Sequence, residues 1–598
     1  MISVLTAGLR NRKTGKPAPQ PASRTGASIQ RLPAKALRQH KSNPATGKWT
    51  LYIAIAVVLG QAALAVYIIR SFSHSGASER YLVHNAVIYS YTGSETELRA
   101  PFDAFVVGSD GKFEAVGSSV ELKQSFWHLN QFDARGAMVV PGLIDTHLNL
   151  VEHGQSILNA NLRNAKSVKE CLSRLIRHLN GNADIEGSAQ SGESRKWLLG
   201  FGWDHSIWTD RSGKFPTKRD LDSHPRLKNV PIALFNSDNT AVWCNAAALS
   251  LTSITRHTQP LKGGEIIVDD ATGEPTGVLV GPAQMLIRNA LSQRFSQDRE
   301  NAILSATKAV LAKGITAVYD VDSAIQCSVS TCDSLPAANE IIKKANDYLS
   351  AESVHLTLDG GLSTWSSLLH GPYSDDPDST GHSFISVADL EAVLLKALGK
   401  GYHASLQCEG DAAVSQALNV LEQVSKLHSS NWTNRIRLSG MSCFRTKDVD
   451  RLASLGVAAS IQPAVSLNGK QKGIRLGSGR VKAVEQAWKR MSEKRVRVRF
   501  GGGGDAMGIV YAATANEAGE TWTRQQVLDG MTRKAAMSGD KMGRIEKGYF
   551  ADFGMYKQDW VKDEENGGVV GDVELVGMEA AVTVVGGVVR HGEMKYTR

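Results

Sequence analysis

Residues 136–154 decide the fold, and they read Gly-Ala-Met-Val-Val-Pro-Gly-Leu-Ile-Asp-Thr-His-Leu-Asn-Leu-Val-Glu-His-Gly. The Val-Val pair ends one β-type run, the Pro-Gly pair bends the chain, and residues 143–145 begin a buried apolar strand. His147 lies at the carboxyl end of this strand, where barrel strands present functional side chains at the barrel mouth. The stretch therefore predicts a strand that carries one imidazole to a functional edge.

Helical and β-rich segments alternate downstream of this strand. The predicted helix and strand pairs are 299–313 with 315–320, 386–398 with 403–407, and 446–455 with 457–461, and a further helix covers 411–427. Repeated units of this length favour a parallel sheet, because a crossover helix joins neighbouring parallel strands. Residues from about 184 to 285 are rich in turns and break this rhythm. They predict an insertion that covers the barrel mouth.

Both ends of the folded part are rich in short β-type runs. Strands are predicted within 81–91, 104–107, 113–116, 549–556, 581–585 and 588–590. Turn signals at residues 109–111 and 586–587 separate neighbouring runs. Periodicity alone does not say whether the two ends of the chain pair with each other.

The formal charge of +9 is concentrated at the amino end of the chain. Residues 1–48 hold ten Lys or Arg and no Asp or Glu, so the remainder carries about −1. A near-neutral remainder has no basic stripe, which argues against a nucleic-acid partner. The same 48 residues contain too little apolar surface to fold and predict a disordered tail.

Residues 51–69 carry no charged side chain and would span roughly 28 Å as a helix, which matches a bilayer core. We interpret residues 49–70 as a transmembrane signal-anchor helix and residues 71–79 as a linker. By the positive-inside rule the basic tail then lies in the cytosol, and the main domain is lumenal or extracellular. Two alternatives stay open: a cleaved signal peptide, and a transit peptide that would lead to an organelle membrane.

Several local motifs lie between residues 140 and 552. They are Val-Pro-Gly-Leu-Ile-Asp-Thr-His at 140–147, Gly-Phe-Gly-Trp-Asp at 200–204, Phe-Pro-Thr-Lys-Arg-Asp-Leu-Asp at 215–222, Gly-Glu-Pro-Thr-Gly at 273–277, Pro-Tyr-Ser-Asp-Asp-Pro at 372–377, Gly-Asp-Ala-Ala at 410–413 and Gly-Arg-Ile-Glu-Lys-Gly-Tyr-Phe-Ala-Asp at 543–552. Together these motifs resemble the metal-dependent amidohydrolase superfamily, and within it amidohydrolase family 3, which includes N-substituted formamide deformylases. The resemblance covers nearly everything from Tyr81 to Gly592.

The resemblance implies an α/β fold with a (β/α)8 TIM-type barrel over residues 139–539. In this family a small β-sandwich, built from amino- and carboxyl-terminal strands, brackets the barrel. Here those strands would come from residues 80–138 and 540–598. The resemblance also implies hydrolysis of carbon–nitrogen bonds other than peptide bonds in small amides.

Family chemistry uses one or two divalent ions to lower the pKa of a bound water, and an aspartate to take its proton. The family's His-x-His on the first barrel strand is His147 and Asn149 here. Other expected ligand positions also hold different residues: Thr240 for a His, Gly281 for a Glu, His355 for a Lys, Gln407 for a His, and Arg437-Leu438 for a Glu-His pair. The family's final Gly-Ser-Asp becomes a glycine run, 501–504, followed by Asp505.

These replacements lead to the first functional hypothesis. Zinc needs at least three good donors, so the loss of several predicts one bound ion at most, and an activity that is lost or altered. The barrel would then be a pseudoenzyme that binds a small amide-type ligand. The residues that the sequence assigns to this ligand are Asp238, Trp243, Asp359, Gln407 and Asp411.

The second hypothesis is an active mononuclear hydrolase. In it, one zinc ion is bound by His147 and His355, and Asp505 is the base. Each residue also has a plainer interpretation, since His355 suits a polar barrel core and His147 and Asp505 suit remnants of an older site. Trp243 equally suits packing of the insertion. The sequence leaves the substrate and the oligomeric state open, a homo-oligomer included.

Overall fold

The computed structural model describes residues 79–596 except 92–97, 99, 183–184, 186–195, 211–213, 261–262, 322–324, 327–352, 428–434, 464–468, 515–521, 538–540 and 563–569. All described residues belong to one compact unit. The predicted tail at 1–48 and the predicted membrane helix at 49–70 lie outside the described residues. Among the helices that are described, none is long and apolar enough to cross a bilayer.

The described strands are numbered in chain order. They are β1 (Tyr81–His84), β2 (Val87–Ile88), β3 (Ala104–Val107), β4 (Phe113–Gly117), β5 (Asn130–Asp133), β6 (Met138–Pro141), β7 (Leu143–Leu148), β8 (Ala160–Asn161), β9 (Leu198–Trp203), β10 (Ile232–Asn236), β11 (Ala241–Cys244), β12 (Glu265–Val268), β13 (Pro275–Val280), β14 (Ile315–Asp320), β15 (Ile325–Gln326), β16 (Ser353–Thr357), β17 (His403–Cys408), β18 (Ile436–Gly440), β19 (Ala458–Ile461), β20 (Val498–Phe500), β21 (Phe553–Tyr556), β22 (Val582–Val585) and β23 (Val588–Gly592).

The described α-helices are numbered in the same way. They are α1 (Ser119–Ser125), α2 (Leu150–Leu158), α3 (Val168–Asn180), α4 (Lys218–Asp222), α5 (Pro225–Lys228), α6 (Ala246–Leu251), α7 (Met285–Ala312), α8 (Val387–Gly399), α9 (Asp411–Leu427), α10 (Thr446–Leu455), α11 (Gly469–Leu476), α12 (Ser478–Glu493), α13 (Ala506–Thr514), α14 (Arg524–Met531) and α15 (Asp572–Leu575).

The central strands run parallel and are separated by helices along the chain. β7 pairs with β14, and β15 to β20 form a second sheet in chain order. The two sheets meet at Thr146, whose hydroxyl donates to the backbone carbonyl of Phe500 (3.1 Å) and lies 2.7 Å from the hydroxyl oxygen of Ser460. The result is a TIM-barrel-like α/β fold, which agrees with the coarse prediction from the sequence.

Helix α8 illustrates why these segments form helices. Its N-cap Ser386 accepts a hydrogen bond from the backbone N–H of Asp389, which satisfies a donor that the first turn leaves free. Its buried positions are Leu390, Val393, Leu394, Ala397 and Leu398, which recur at the spacing of one helix face. That face packs against β17, so the predicted helix is confirmed.

Strands from both ends of the chain form a small β-structure beside the barrel. One sheet has the order β4-β3-β1-β5 and the other the order β2-β6-β21-β22-β23. β6 and β21 pair antiparallel, which joins the amino- and carboxyl-terminal segments. Phe105 of the first sheet contacts Phe553 of the second, with ring centroids 5.0 Å apart. Since β6 runs into β7 through Gly142 alone, this structure is continuous with the first barrel strand.

The insertion that the sequence predicts at about 184–285 contributes β9 to β13 to a separate sheet, with the strand order β12-β13-β11-β10-β9-β8, and the edge strand β8 precedes the insertion. Its core includes Trp203, Trp208 and Trp243, whose ring centroids lie 5.8 to 6.1 Å apart. Trp243 is fully buried and its indole N–H donates to the carbonyl of Thr217 at 2.9 Å. The structure thus places Trp243 in a packing position of the insertion core.

Candidate functional site

Two histidines from different strands meet inside the barrel. His147 on β7 and His355 on β16 have ring centroids 5.9 Å apart. His355 Nε2 lies 3.3 Å from Gln407 Oε1, and the Nδ1 atoms of both imidazoles have no hydrogen-bond partner among the described residues. Burial lowers the pKa of His147 well below its ordinary value and lowers that of His355 to about 4. Both rings are therefore neutral at pH 7.

Arg437 crosses the barrel interior from β18. Its Nε donates to Ser405 Oγ at 3.0 Å, and its guanidinium carbon lies 4.8 Å from the ring centroid of Tyr319, on β14. Arg437 is 6% exposed, and its burial lowers its pKa to about 10, so it keeps its charge at neutral pH. Its charge also lowers the pKa values of His147 and His355. The barrel interior thus holds a fixed cation beside the two imidazoles.

A buried carboxylate holds the glycine run after β20. Asp145 accepts hydrogen bonds from the backbone N–H groups of His147 (3.0 Å), Gly502 (2.8 Å) and Gly504 (3.1 Å). A Cβ at Gly501 would lie 2.6 Å from Asp145 Oδ1, so only glycine permits this approach. The carboxylate therefore fixes both the strand end that carries His147 and the loop that precedes Asp505.

Asp505 faces a different pair of side chains from those that the sequence assigned to it. Burial lowers the pKa values of His153, on α2, and of Arg163, and the charge of nearby Asp505 acts in the opposite direction on both. Burial is the main influence on His153 and lowers its pKa to about 4. The described residues contain no group of three or more His, Cys, Asp or Glu side chains placed to hold a metal ion.

Polar side chains surround Asp238 where the insertion meets the barrel. Asp238 Oδ1 accepts from Asn236 Nδ2 (2.6 Å) and Thr240 Oγ1 (2.6 Å), and Oδ2 accepts from Ser363 Oγ (2.5 Å). Asp238 is only partly buried, so the carboxylate is both oriented and accessible. Its role as a ligand contact stays a prediction from the sequence.

Glu409 is a polar residue of this region that sequence reasoning gave little weight. Its carboxylate accepts from Ser442 Oγ (2.6 Å) and Gln407 Nε2 (3.4 Å). Burial raises the pKa of Glu409, and the nearby charge of Asp238 adds to this effect. Its position directly before the Gly410-Asp411 motif was the only sequence signal.

Asp359 and Asp411 hold backbone segments in the structure. Asp359 is 1% exposed and accepts from the backbone N–H groups of Leu368, Glu409 and Gly410, each at 2.8 Å. Asp411 is also buried and accepts from the backbone N–H of His370 at 3.0 Å. Both carboxylates therefore shape the loops at the mouth, while Gln407 remains next to His355.

Sequence comparison supports the architecture described above. A profile of the amidohydrolase family matches residues 131–591, which is well over half of the chain. The chain belongs to the amidohydrolase family. The matched span contains the barrel, the insertion and the terminal strands from β6 onwards, apart from the last residue of β23.

Two curated relatives are similar to this chain over most of its length. It is 27% identical over 454 residues to the putative amidohydrolase YtcJ of Bacillus subtilis (strain 168), and the match covers 71% of this chain and 80% of that protein. It is 24% identical over 393 residues to the N-substituted formamide deformylase of Arthrobacter pascens, with 60% of this chain and 69% of that protein covered. Both matches span most of the relative's length.

A solved structure shows the same fold. An uncharacterized metal-dependent hydrolase from Pyrococcus horikoshii OT3 superposes with a TM-score of 0.61 at 22% sequence identity. The match covers 82% of this chain and all of that one. At this identity the likeness establishes the fold of the amidohydrolase family member and leaves its chemistry to the site.

The residues inside the barrel do not fit the metal ion that family chemistry uses. His147 and His355 offer two imidazole donors, whereas zinc is held by at least three protein donors with further hydrogen bonds behind them. The neighbouring Gln407 offers a neutral amide oxygen, and Arg437 places a positive charge among these groups. A divalent cation here would be repelled by the guanidinium of Arg437. Because this group is buried, little water screens its charge.

Proposed function

We propose that this protein is a membrane-anchored member of the amidohydrolase family that binds a small amide-type ligand and has lost or altered the family's carbon–nitrogen hydrolysis. The observation that carries this proposal is Arg437, buried inside the barrel with its charge directed at His147 and His355. A hydrolase of this family needs an activated water at that place, and a guanidinium cannot activate one, because it has no lone pair to accept a proton.

Ligand binding is supported by the polar groups around Asp238 and Glu409. The carboxylate of Asp238 is held by three side chains and remains partly exposed, so it suits an amide N–H donor of a ligand. Gln407 supplies both an amide donor and an acceptor next to His355. The name of the Arthrobacter pascens relative, N-substituted formamide deformylase, suggests amides as the first ligands to test.

Metal content and turnover test this proposal on the full chain purified in detergent. After incubation with zinc and gel filtration, we expect much less than one zinc per chain and no hydrolysis of N-substituted formamides. His147→Ala is expected to leave the zinc content unchanged, as is the matched variant at the exposed His128. Stoichiometric zinc that His147→Ala removes and His128→Ala keeps would overturn the proposal.

The second candidate is the mononuclear hydrolase, which the pairing of His147 with His355 favours. The Nδ1 atoms of both imidazoles have no hydrogen-bond partner among the described residues, and each can donate a lone pair to a zinc ion. Asp505 would have to turn from His153 towards these two histidines. Under this alternative, Asp505→Asn lowers formamide turnover and keeps the zinc, because Asp505 is the base, while the same exchange at the surface residue Asp450 changes neither turnover nor zinc content. Under our main proposal, both variants match the unmodified chain in both measurements.

Membrane anchoring rests on the uncharged stretch 51–69 and the basic tail before it. We expect the full chain to stay with membranes after alkaline carbonate extraction, and a variant without residues 49–70 to be released. Recovery of the full chain in the carbonate supernatant would contradict anchoring. Glycosidase sensitivity that is lost in Asn431→Gln, at the Asn-Trp-Thr sequon, would place the main domain in a lumen or outside the cell.

A further inference from the structure

A polar cleft lies between helices α2 and α7. Its volume is about 330 Å³, at the lower end of the roughly 300–1,000 Å³ range that small-molecule sites occupy. Its lining residues all belong to α7, to α2 or to the C-cap residue of α2, and none belongs to a barrel strand. The cleft is therefore separate from the histidines and carboxylates of the candidate site.

Gln155 and Asn159 bring a donor and an acceptor to the α2 wall of the cleft. Asn159 Nδ2 donates to the backbone carbonyl of Gln155 (2.8 Å) and to its Oε1 (3.0 Å), which leaves Asn159 Oδ1 as an acceptor. Gln155 is 2% exposed, and its Nε2 has no hydrogen-bond partner among the described residues. Such a buried donor costs free energy unless a ligand or a water accepts from it.

The opposite wall, on α7, is polar as well. Asn301, Ser305 and Lys308 recur at the spacing of one helix face. No described group forms a hydrogen bond or ion pair with these three side chains. They can therefore turn towards a ligand in the cleft without breaking a contact in the folded protein.

The lining residues of the cleft carry no excess charge. Asp298 supplies one negative charge and Lys308 one positive charge, and the other polar residues of both walls are neutral amides and a hydroxyl. An anionic ligand would be repelled by Asp298, and a cationic ligand by Lys308. Only Leu158 and Leu304 offer apolar surface, which is too little for an apolar ligand. The lining favours a neutral, strongly hydrogen-bonding molecule.

We propose that this cleft binds a neutral polyhydroxylated molecule of the size of one monosaccharide. A hydroxyl group both donates and accepts, so neighbouring hydroxyls can accept from Gln155 Nε2 and donate to Asn159 Oδ1. Carboxylates lack the donor and ammonium groups lack the acceptor for this pair. Leu158 and Leu304 contact the C–H groups of the ring.

Saturation-transfer difference NMR on the full chain, in a detergent without a sugar head group, measures this binding. The neutral probes are D-glucose, D-galactose and myo-inositol, and the charged counterparts are D-glucuronate and D-glucosamine. We expect a saturable signal from at least one neutral probe and weaker binding of the charged counterparts. No saturable signal from any neutral probe, or tighter binding of a charged counterpart, would overturn the proposal.

Asn301→Ala and a matched control assign the binding to the cleft. Asn301 is exposed, so its truncation should leave the fold intact, and the loss of one hydrogen bond should weaken binding by up to about tenfold. Asn229→Ala, at an exposed asparagine outside the cleft, should bind like the unmodified chain. Equal affinities of Asn301→Ala and the unmodified chain would overturn the assignment.

Two further variants test the donor and the separation from the barrel mouth. Gln155→Glu keeps the size of the side chain but replaces its donor with an acceptor, so it should abolish binding, while circular dichroism checks that the variant folds. Where it does not fold, Asn301→Ala decides. Asp238→Ala should leave sugar binding unchanged, so this proposal and that of an amide ligand at the mouth can fail independently. Loss of sugar binding in Asp238→Ala would place the sugar at the mouth and overturn the cleft assignment.

Discussion

At the scale of single residues, Asp145 fixes the end of the first barrel strand and the loop after the last one. Its carboxylate accepts the backbone N–H groups of His147, Gly502 and Gly504 in a fully buried position. Burial raises the pKa of Asp145, and these three hydrogen bonds act in the opposite direction by stabilising the charged form. The end of β7 and the glycine run after β20 therefore share one acceptor group.

Asp145→Ala should remove this acceptor and leave the loop donors buried without a partner. We expect a loss of about 3 kcal/mol or more in the free energy of unfolding, since each unsatisfied buried donor costs roughly 1–3 kcal/mol. Asp145→Asn keeps one acceptor oxygen and should lose clearly less. Urea unfolding of the full chain measures both variants, and equal losses would show that the hydrogen bonds to Gly502 and Gly504 contribute little.

Asp552 carries the pH dependence that the structure makes most specific. It is 8% exposed, its Oδ1 accepts the backbone N–H of Gly586 at 2.7 Å, and burial raises its pKa from 3.8 to about 6. The folded protein therefore holds a proton in a pH range where the unfolded chain has released it. The contribution of this group to stability is full below about pH 4 and is lost as the pH rises through about 6.

Asp552→Asn should remove this dependence while keeping the acceptor for Gly586. From the pKa change, the stability of the unmodified chain relative to the variant should fall by roughly 3 kcal/mol between pH 4 and pH 7. Urea unfolding of both proteins at a series of pH values measures the difference, which cancels the titration of all other groups. A difference that does not vary with pH would mean that Asp552 titrates normally.

At the scale of elements, a close contact with another helix fixes the position of α2, the first helix after β7. α2 meets α7 where Gly154 lies against the backbone of Ala302, and a Cβ at Gly154 would lie 1.8 Å from the carbonyl oxygen of Ala302. Backbone cannot move aside as a flexible side chain can. The two helices therefore approach closely only because residue 154 has no side chain.

Gly154→Ala should force α2 away from α7 and destabilise the fold by more than about 3 kcal/mol, at the upper end of the range for overpacking. Gly399→Ala is the matched control, because Gly399 also lies in a helix and a Cβ there would meet no atom within 4 Å. That control should be neutral or gain up to about 1 kcal/mol from a better helix propensity. Thermal unfolding of both variants checks the pair, and similar midpoints would contradict the crossing.

The sequence predicted those strands and helices that local periodicity determines. The strands at 315–320, 403–408 and 458–461 and the helices around them follow from apolar spacing and capping residues. The sheet of the insertion did not follow, because it mixes parallel and antiparallel pairs that no period encodes. Helix α7 starts at Met285, well before the predicted 299.

For the candidate site, the sequence predicted which strand each side chain lies on, but not which side chains surround it. The sequence placed His147 and His355 at strand positions that face the interior, and the structure brings their rings within 5.9 Å. The surroundings of Asp505 did not follow, because the path of the glycine run depends on its hydrogen bonds to Asp145. The position of the Arg437 guanidinium did not follow from the sequence either, because it packs on Tyr319, from a strand more than a hundred residues away.

At the scale of the whole molecule, the paired terminal strands and the barrel form one continuous structure. β6 pairs with β21 and passes through Gly142 into β7, and the N–H of Gly142 donates to the carbonyl of Asp552 at 2.8 Å. Tyr556, at the end of β21, donates through its hydroxyl to the carbonyl of Lys313, directly before β14. These links connect the terminal strands to two neighbouring barrel strands, so we expect the two parts to unfold together.

Phe553→Ala tests this coupling. Phe553 is fully buried against Phe105 in the paired terminal strands, so its truncation should cost about 3–5 kcal/mol. If the parts unfold together, hydrogen exchange should accelerate by the same factor in the amides of β17 and β18 as in those of β21. Trp127→Ala, at a side chain that is 75% exposed, should change neither set. Faster exchange confined to the terminal strands would mean that the barrel remains folded when the paired terminal strands open.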